Sequence, residues 1–256
     1  MLILGKRLVS RIVPEQLRRL FSGVKYHILQ QKKTPRVVFS EIYQRKEWGG
    51  SNEIEFYSGA GSSLTHIVQP YLDKVSELLS GFRFKPRVVD LGCGDFCVGK
   101  NLIKYADEYI AADCVPELIE KHKKEGYPQH VRFLCLDIVR DALPDGDICF
   151  LRQVLQHLSN KEIRRILSKL KKYKMAIITE HYPADNPRIR VNEDIVHGPN
   201  IRIFKNSGVY LDCPPFNISK RQLQLMLAVP APAGAIEGVI RTYKVQYSTA
   251  LTELSH

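Results

Sequence analysis

Short apolar runs closed by a polar or acidic residue recur through the middle of the chain. Val88-Val89-Asp90-Leu91 leads into Gly92-Cys93-Gly94. Tyr109-Ile-Ala-Ala ends at Asp113, Val131-Arg-Phe-Leu-Cys-Leu ends at Asp137-Ile138, and Asp147-Ile-Cys-Phe-Leu runs to Arg152. Met175-Ala-Ile-Ile-Thr ends at Glu180-His181. Their length and β-branched content predict buried strands. Stretches with helical spacing lie between them. Leu64 to Leu79 is one, with Ser62 or Ser63 as its expected cap. Gly99 to Tyr105 reads as a connecting helix, and residues 219–229 as another short one. Ser159-Asn-Lys-Glu162 forms a capping box ahead of a helix carrying Ile163, Ile166, Leu167 and Leu170. Ala235 to Tyr247 reads as a closing strand. Strands alternating with helices indicate an α/β chain with a largely parallel sheet.

The Asp90-Leu-Gly-Cys-Gly94 turn carries the chemistry. Glycine lacks a Cβ and accepts positive φ, so a ligand can approach the backbone closely. The dinucleotide fingerprint GxGxxG requires a third glycine where Cys97 stands, so that reading loses its main support. Asp113 follows Gly94 by 19 residues, near the distance at which an acidic residue grips ribose hydroxyls in nucleotide-binding βαβ units. Each acid at a strand end reads equally well as a cap or turn residue when taken alone. The combination of loop and spacing favours a nucleotide-type ligand.

The net charge of +11 is unevenly placed. Residues 1–40 carry nine Lys and Arg against Glu15 alone, a net +8, and the remaining residues carry only +3. Leu17, Leu20, Phe21, Val24 and Ile28 fall on one helical stripe behind Pro14. This basic arm reads as a helix packed on the domain or as an interfacial helix on anionic lipid, with a mitochondrial presequence formally open. Six cysteines are scattered without a CxxC pair, so neither a zinc site nor a disulfide framework is expected, and a reducing cytoplasm is the natural setting. No stretch reaches the apolar length of a membrane span.

Several segments together resemble class I S-adenosylmethionine-dependent methyltransferases, in particular bacterial ones associated with surface-polysaccharide biosynthesis. They are Ile42-Tyr43 to Trp48-Gly49, Ser58-Gly-Ala-Gly-Ser-Ser63, Val89-Asp-Leu-Gly-Cys-Gly-Asp-Phe96, Arg152-Gln-Val-Leu-Gln-His-Leu158 and Val209-Tyr-Leu-Asp-Cys-Pro-Pro-Phe216. Phe96 replaces the third glycine common in such loops. The resemblance implies an α/β, Rossmann-like doubly wound sheet of seven mostly parallel strands with an N-terminal helical extension. It implies a basic extension over 1–57 and a catalytic domain over 58–256, with a substrate-covering insertion at about 182–217. The implied cofactor is S-adenosyl-L-methionine, bound by Ser58, Gly59, Gly61, Asp90, Gly92, Gly94, Asp113, Asp137, Ile138 and Gln153. Asp137 would face the adenine amino group, and the Ser58–Ser63 loop would donate to the methionine carboxylate. No metal is expected.

Acceptor-side residues are sought after the fourth strand and at the end of the fifth, where α/β enzymes place ligands. His157, His181 and Glu180 are the candidate bases; the alternative is a structural histidine for the first and a loop-anchoring ion pair for the others. Arg188, Arg190 and Arg202 read either as anion contacts or as solvated side chains. The expected activity is O-methylation of a small-molecule or saccharide acceptor. The alternatives are RNA methylation and a non-catalytic nucleotide-fold protein that binds a partner or membrane through its arm. The balanced core offers no extended phosphate track, so nucleic acid is not the expected partner. A cytoplasmic location follows, with peripheral contact at the inner membrane surface through residues 1–34 left open.

Overall fold

A computed structural model describes residues 33–51, 54–233 and 236–247. The reading of the basic arm falls on residues 1–32, outside the described residues. Seven strands form one sheet in the order β3-β2-β1-β4-β5-β7-β6. These are β1 (Arg87–Leu91), β2 (Glu108–Asp113), β3 (Val131–Cys135), β4 (Ile148–Arg152), β5 (Met175–Pro183), β6 (Leu223–Pro230) and β7 (Gly238–Gln246). The first five pair in parallel, and β7 runs antiparallel to both β5 and β6. The doubly wound, mostly parallel sheet expected from the sequence is therefore present. Strand order reverses between β1 and β4, and the crevice at their carboxyl ends is where such sheets place ligands.

Helices cover both faces. α1 (Pro35–Gln44) buries Val38, Ile42 and Tyr43, so the stretch from Pro35 packs with the body that carries the sheet. α2 (Thr65–Ser80) buries Ile67, Tyr71, Val75 and Leu79, one residue per turn of a single stripe. α3 (Pro116–Lys124) begins on proline, where the missing N–H costs nothing. α4 (Asn160–Leu170) buries Ile163, Ile166, Leu167 and Leu170. Its predicted capping box is complete: Ser159 receives the Glu162 N–H, and the Glu162 carboxylate receives the Ser159 N–H at 2.9 Å.

Three local expectations fail for identifiable reasons. Residues 219–229 are not helical; most of them form edge strand β6, because a short apolar run takes its state from its partner and β7 is alongside. Gly99 to Tyr105 forms two 3-10 turns, Gly99–Asn101 and Ile103–Tyr105, instead of a helix. Gly99 is wedged so closely that a Cβ there would meet the Phe96 ring at 2.4 Å, and Asp107 N–H is tied to Pro86 O at 3.0 Å. Neither Ser62 nor Ser63 caps α2; Leu64 holds that position without a side-chain bond. Ser63 shares a hydrogen bond with the Tyr57 hydroxyl at 2.8 Å, and Ser62 receives one from Arg152 at 3.3 Å.

The segment between β5 and β6 is irregular apart from one 3-10 turn, Arg202–Lys205. It is fixed by buried polar anchors. Tyr182 donates its hydroxyl to Val209 O at 2.7 Å. Arg202 is fully buried and donates to Glu193 O and Leu158 O, both at 2.6 Å. Arg202 is thus neither solvated nor free to hold an anionic acceptor, whereas Arg188 and Arg190 are exposed.

The cap gives a stability test. Ser159→Ala removes the side-chain acceptor at the start of α4 and is expected to cost about 1 kcal/mol, read as a lower urea midpoint at unchanged m-value. An unchanged midpoint would show that the capping box adds nothing to global stability.

Candidate active site

The crevice is built on the turn after β1. Gly92 N–H and Cys93 N–H both donate to Ala112 O, at 2.7 and 3.0 Å, which stitches the turn to the end of β2. Gly92 has φ +81, and a Cβ there would meet the Val154 side chain at 2.5 Å. Gly94 has φ +54, and a Cβ there would meet Ser58 Oγ at 2.4 Å. Both glycines are required by close approach as well as by conformation. The Asp113 carboxylate accepts from Gly94 N–H and Val115 N–H, each at 3.1 Å, and so fixes the turn and the entry to α3 together.

Phe96 takes the left-handed backbone (φ +58) that a third glycine would adopt easily. Its buried ring packs against Tyr109, Tyr127, Phe133 and His122 at centroid distances of 5.7, 5.3, 5.1 and 5.9 Å. That conformation costs an L-residue roughly 1–2 kcal/mol, and burial of a phenylalanine side chain contributes about as much in return. The glycine's geometry is kept by other means.

A second loop closes over the first. Ser58 N–H donates to Asp95 Oδ2 at 2.9 Å, Asp95 N–H donates back to Ser58 Oγ at 2.8 Å, and Tyr43 of α1 shares that hydroxyl at 2.8 Å. Arg152, at the end of β4, donates to Gly61 O and to Ser62 Oγ. Its guanidinium lies 5.1 Å from the centre of the Tyr71 ring, and its buried Nε has no partner among the described residues. Gln153 follows at φ +57, with its side-chain amide 3.3 Å from Gly61 O.

The cleft has a volume of about 1080 Å³, open solvent included, and is lined by Ser58, Asp90, Gly92, Gly94, Asp113, Asp137, Ile138, Gln153 and His157. Gly59 and Gly61 are not on its wall: Gly59 turns the loop at φ +89, and Gly61 presents its carbonyl to Arg152. Asp90 is buried with Tyr109 donating to it at 3.0 Å. Burial raises its pKa to about 7, with the Asp113 charge adding to the rise and the Tyr109 hydrogen bond and Arg152 opposing it. Asp137 fastens its own loop by accepting from Val139 N–H at 2.9 Å.

Of the three candidate bases, only His157 reaches the cleft. Its Nδ1 lies 3.1 Å from Gly198 O, so Nδ1 carries the proton and a neutral ring keeps its lone pair on Nε2. Burial lowers its pKa to about 4 against the pull of the Gly198 and Asn200 backbone. Glu180 is fully buried behind β4 and accepts from Val154, Leu155 and Gln156 N–H at 3.2, 2.8 and 2.9 Å. Its carboxylate is spent on shaping the turn that carries His157. His181 donates from Nε2 to Ala231 O at 2.6 Å and does not line the cleft. The two are not an ion pair; each is a structural group.

The Tyr43 to Trp48 segment was part of the sequence resemblance, but no place in the cleft was expected of its aromatic side chains. Phe39 and Tyr43, one turn apart on α1, line the cleft together with Trp48. The Trp48 ring is 5.0 Å from His157, 5.2 Å from Tyr43 and 6.0 Å from Phe39, and its N–H donates to Pro199 O at 3.2 Å. The available signal was the i, i+4 spacing of Phe39 and Tyr43 behind Pro35. Asp95 and Tyr71 were also missed, since their roles come from loops and helices distant in sequence. Among the described residues no group of His, Cys, Asp or Glu has the arrangement of a metal site.

This geometry agrees with what the chain is similar to. Residues 89–173 match the family described as "Methyltransferase domain". The fold is that of class I S-adenosylmethionine-dependent methyltransferases. Its structure superposes on magnesium protoporphyrin IX methyltransferase (ChlM) from Synechocystis PCC 6803 with bound S-adenosylmethionine, with TM-score 0.53 and 12% identity, covering 84% of this chain and 98% of the other. It also superposes on the N-methyltransferase NodS from Bradyrhizobium japonicum WM9 in complex with S-adenosylhomocysteine, with TM-score 0.52 and 12% identity, covering 79% and 97%. At such identity these likenesses establish the fold and not the acceptor. The sequence matches no curated protein.

The cleft suits a ligand bearing positive charge. A cation beside Asp90 favours the carboxylate, so its pKa falls from about 7 and a proton leaves on binding. Calorimetry with S-adenosylmethionine near pH 6.5 is therefore expected to show proton release, seen as a dependence of the heat on buffer ionisation enthalpy. Asp90→Asn should abolish it. Heat independent of buffer would place Asp90 away from the cation.

Proposed function

We propose that the chain transfers a methyl group from S-adenosylmethionine to an oxygen of a small-molecule or saccharide acceptor. The observation that carries this reading is His157, a neutral imidazole on the cleft wall beside the aromatic surface of Phe39 and Trp48. A hydroxyl needs its proton accepted as it attacks; a ring held neutral by burial has a lone pair for that at physiological pH.

The residues present fit the donor. Arg152, with its unpartnered buried Nε, and the Ser58–Ser62 loop suit a carboxylate, Asp90 suits an ammonium, Asp113 suits ribose hydroxyls, and Asp137 with Ile138 suits an adenine edge. S-adenosylmethionine supplies a methyl bound to a cationic sulfur, which becomes a neutral thioether when the acceptor oxygen displaces it. Around that exchange the protein aligns and dries the reactants. Phe39, Tyr43 and Trp48 exclude water, and His157 Nε2 takes the acceptor proton while Gly198 O holds Nδ1–H.

The test is transfer of a labelled methyl group to a panel of hydroxylated small molecules, glycans, lipids and RNA. Label is expected on a hydroxyl compound. His157→Gln is expected to lower kcat by roughly 10²- to 10⁴-fold at unchanged S-adenosylmethionine affinity. Asp113→Ala is expected to remove measurable cofactor binding by calorimetry. Labelling of RNA alone would overturn the acceptor assignment, and saturable NADH binding without a response to S-adenosylmethionine would overturn the activity.

A further inference from the structure

The outer side of α4 carries Lys161, Arg164 and Arg165, with Lys171 just past its end. The spacing of 161, 164, 165 and 171 places them within one exposed stripe, opposite the buried Ile163, Ile166, Leu167 and Leu170. Among the described residues none of the four has an ion-pair partner, although other surface bases nearby do, such as Lys172 with Asp145 and Lys174 with Asp147. An unpaired row of four cations is a strong local field.

The stripe does not end with the helix. Asn160, in the first turn, donates from its side chain to Asn192 O at 2.8 Å and from its backbone to Asp194 Oδ1 at 2.7 Å. This brings the 188–205 segment alongside. That segment exposes Val191 (49%) and Phe204 (58%) next to Arg188, Arg190 and Lys205. Its two acids are already engaged: Glu193 lies 3.8 Å from Arg190 and 4.0 Å from Lys205, and Asp194 accepts from Asn160. The same segment supplies Gly198 O to His157 and Pro199 O to Trp48. The surface therefore borders the side of the cleft on which His157 sits.

We propose that this face, formed by the α4 stripe with Val191 and Phe204, docks the folded body onto an anionic lipid surface. Exposed apolar side chains rimmed by cations match an acyl boundary beneath acidic headgroups. A nucleic-acid strand fits less well: the stripe lies on a helix exterior, and Phe204 is a single exposed ring beside it where base stacking uses successive aromatic side chains. The surface lies within the body itself and does not draw on the basic arm at residues 1–32. Nor does it rest on the methyl-transfer reading, so the two stand or fall separately. Docking would hold the His157 side of the cleft near the bilayer, where an acceptor carried on a lipid is within reach.

The experiment is vesicle flotation of the full chain with phosphatidylcholine alone and with added phosphatidylglycerol. Binding is expected only with phosphatidylglycerol, and it should weaken as salt rises. Each basic residue removed is expected to lower partitioning roughly fivefold, so Arg164→Glu with Arg165→Glu lowers it by well over tenfold. Lys161→Glu with Lys171→Glu, at other points of the stripe, serves as a second pair should the first fold poorly. Phe204→Asp is expected to weaken binding with the stripe intact. S-adenosylmethionine affinity should be unchanged in each. Wild-type partitioning in both charge-reversed pairs would overturn the proposal, as binding would then lie elsewhere in the chain. So would absence of binding to phosphatidylglycerol vesicles, or single-stranded RNA binding that the reversals abolish while vesicles remain unbound.

Discussion

The Asp113 carboxylate holds the site together. It stands buried at the carboxyl end of β2, and its two oxygens take the N–H groups of Gly94 and Val115. One bond fixes the turn after β1 and the other starts α3. A buried carboxylate left without donors is costly, so the loop has a strong reason to close on it. Once Gly94 is fixed, Asp95 is placed to exchange hydrogen bonds with Ser58, and Ser58 in turn places Tyr43. Three segments far apart in sequence are thus ordered from one side chain outward. A ligand that competes for Asp113 meets a group already oriented, which lowers the cost of ordering on binding.

Each neighbouring acid is treated differently. Among the described residues Asp90 has only the Tyr109 hydroxyl, at 3.0 Å, and burial pushes it up to about 7. Glu180 has three backbone donors, yet with no surface exposure at all it is pushed further, to about 8, despite the opposing effect of those donors. The difference in role follows from access and not from pKa. Asp90 opens on the cleft, where an incoming cation can compensate its charge. Glu180 is shut off by the turn it organises, so no substrate reaches it. Its contribution to chemistry passes through geometry, because the N–H groups it holds belong to the residues immediately before His157.

Much of this was legible in the sequence because it is local or periodic. The five parallel strands, their terminal acids, the two glycines and the Ser159–Glu162 box all follow from short-range patterns read over a few residues. What was not legible depends on who sits across the gap. Leu223 to Val229 is a strand because β7 lies beside it. Gly99 opens two 3-10 turns and leaves no room for a side chain, because the Phe96 ring lies against it. Ser62 is drawn from capping duty by Arg152, which arrives 90 residues later in the chain. Glu180 and His181 were expected at a strand end, but β5 runs on to Pro183 against β7, and the residues around them supplied structural partners first. Strand-end position narrows the candidates; only the partners decide which of them faces ligand.

Phe96 shows the same point from the side of backbone conformation. The missing third glycine suggested an imperfect nucleotide loop, yet φ +58 at Phe96 keeps the chain on the glycine's path. The aromatic cluster of Tyr109, Tyr127, Phe133 and His122 surrounds the ring, and His122 also bonds Gly94 O at 2.8 Å. Glycine would make the turn easier to form and leave a void in that cluster. Phenylalanine makes it harder to form and anchors it once formed. The exchange trades backbone freedom for packing, and it ties the donor loop to the layer of side chains between β2, β3 and α3. A loop held this way is rigid because its neighbours are well packed, which a glycine-rich fingerprint by itself does not provide.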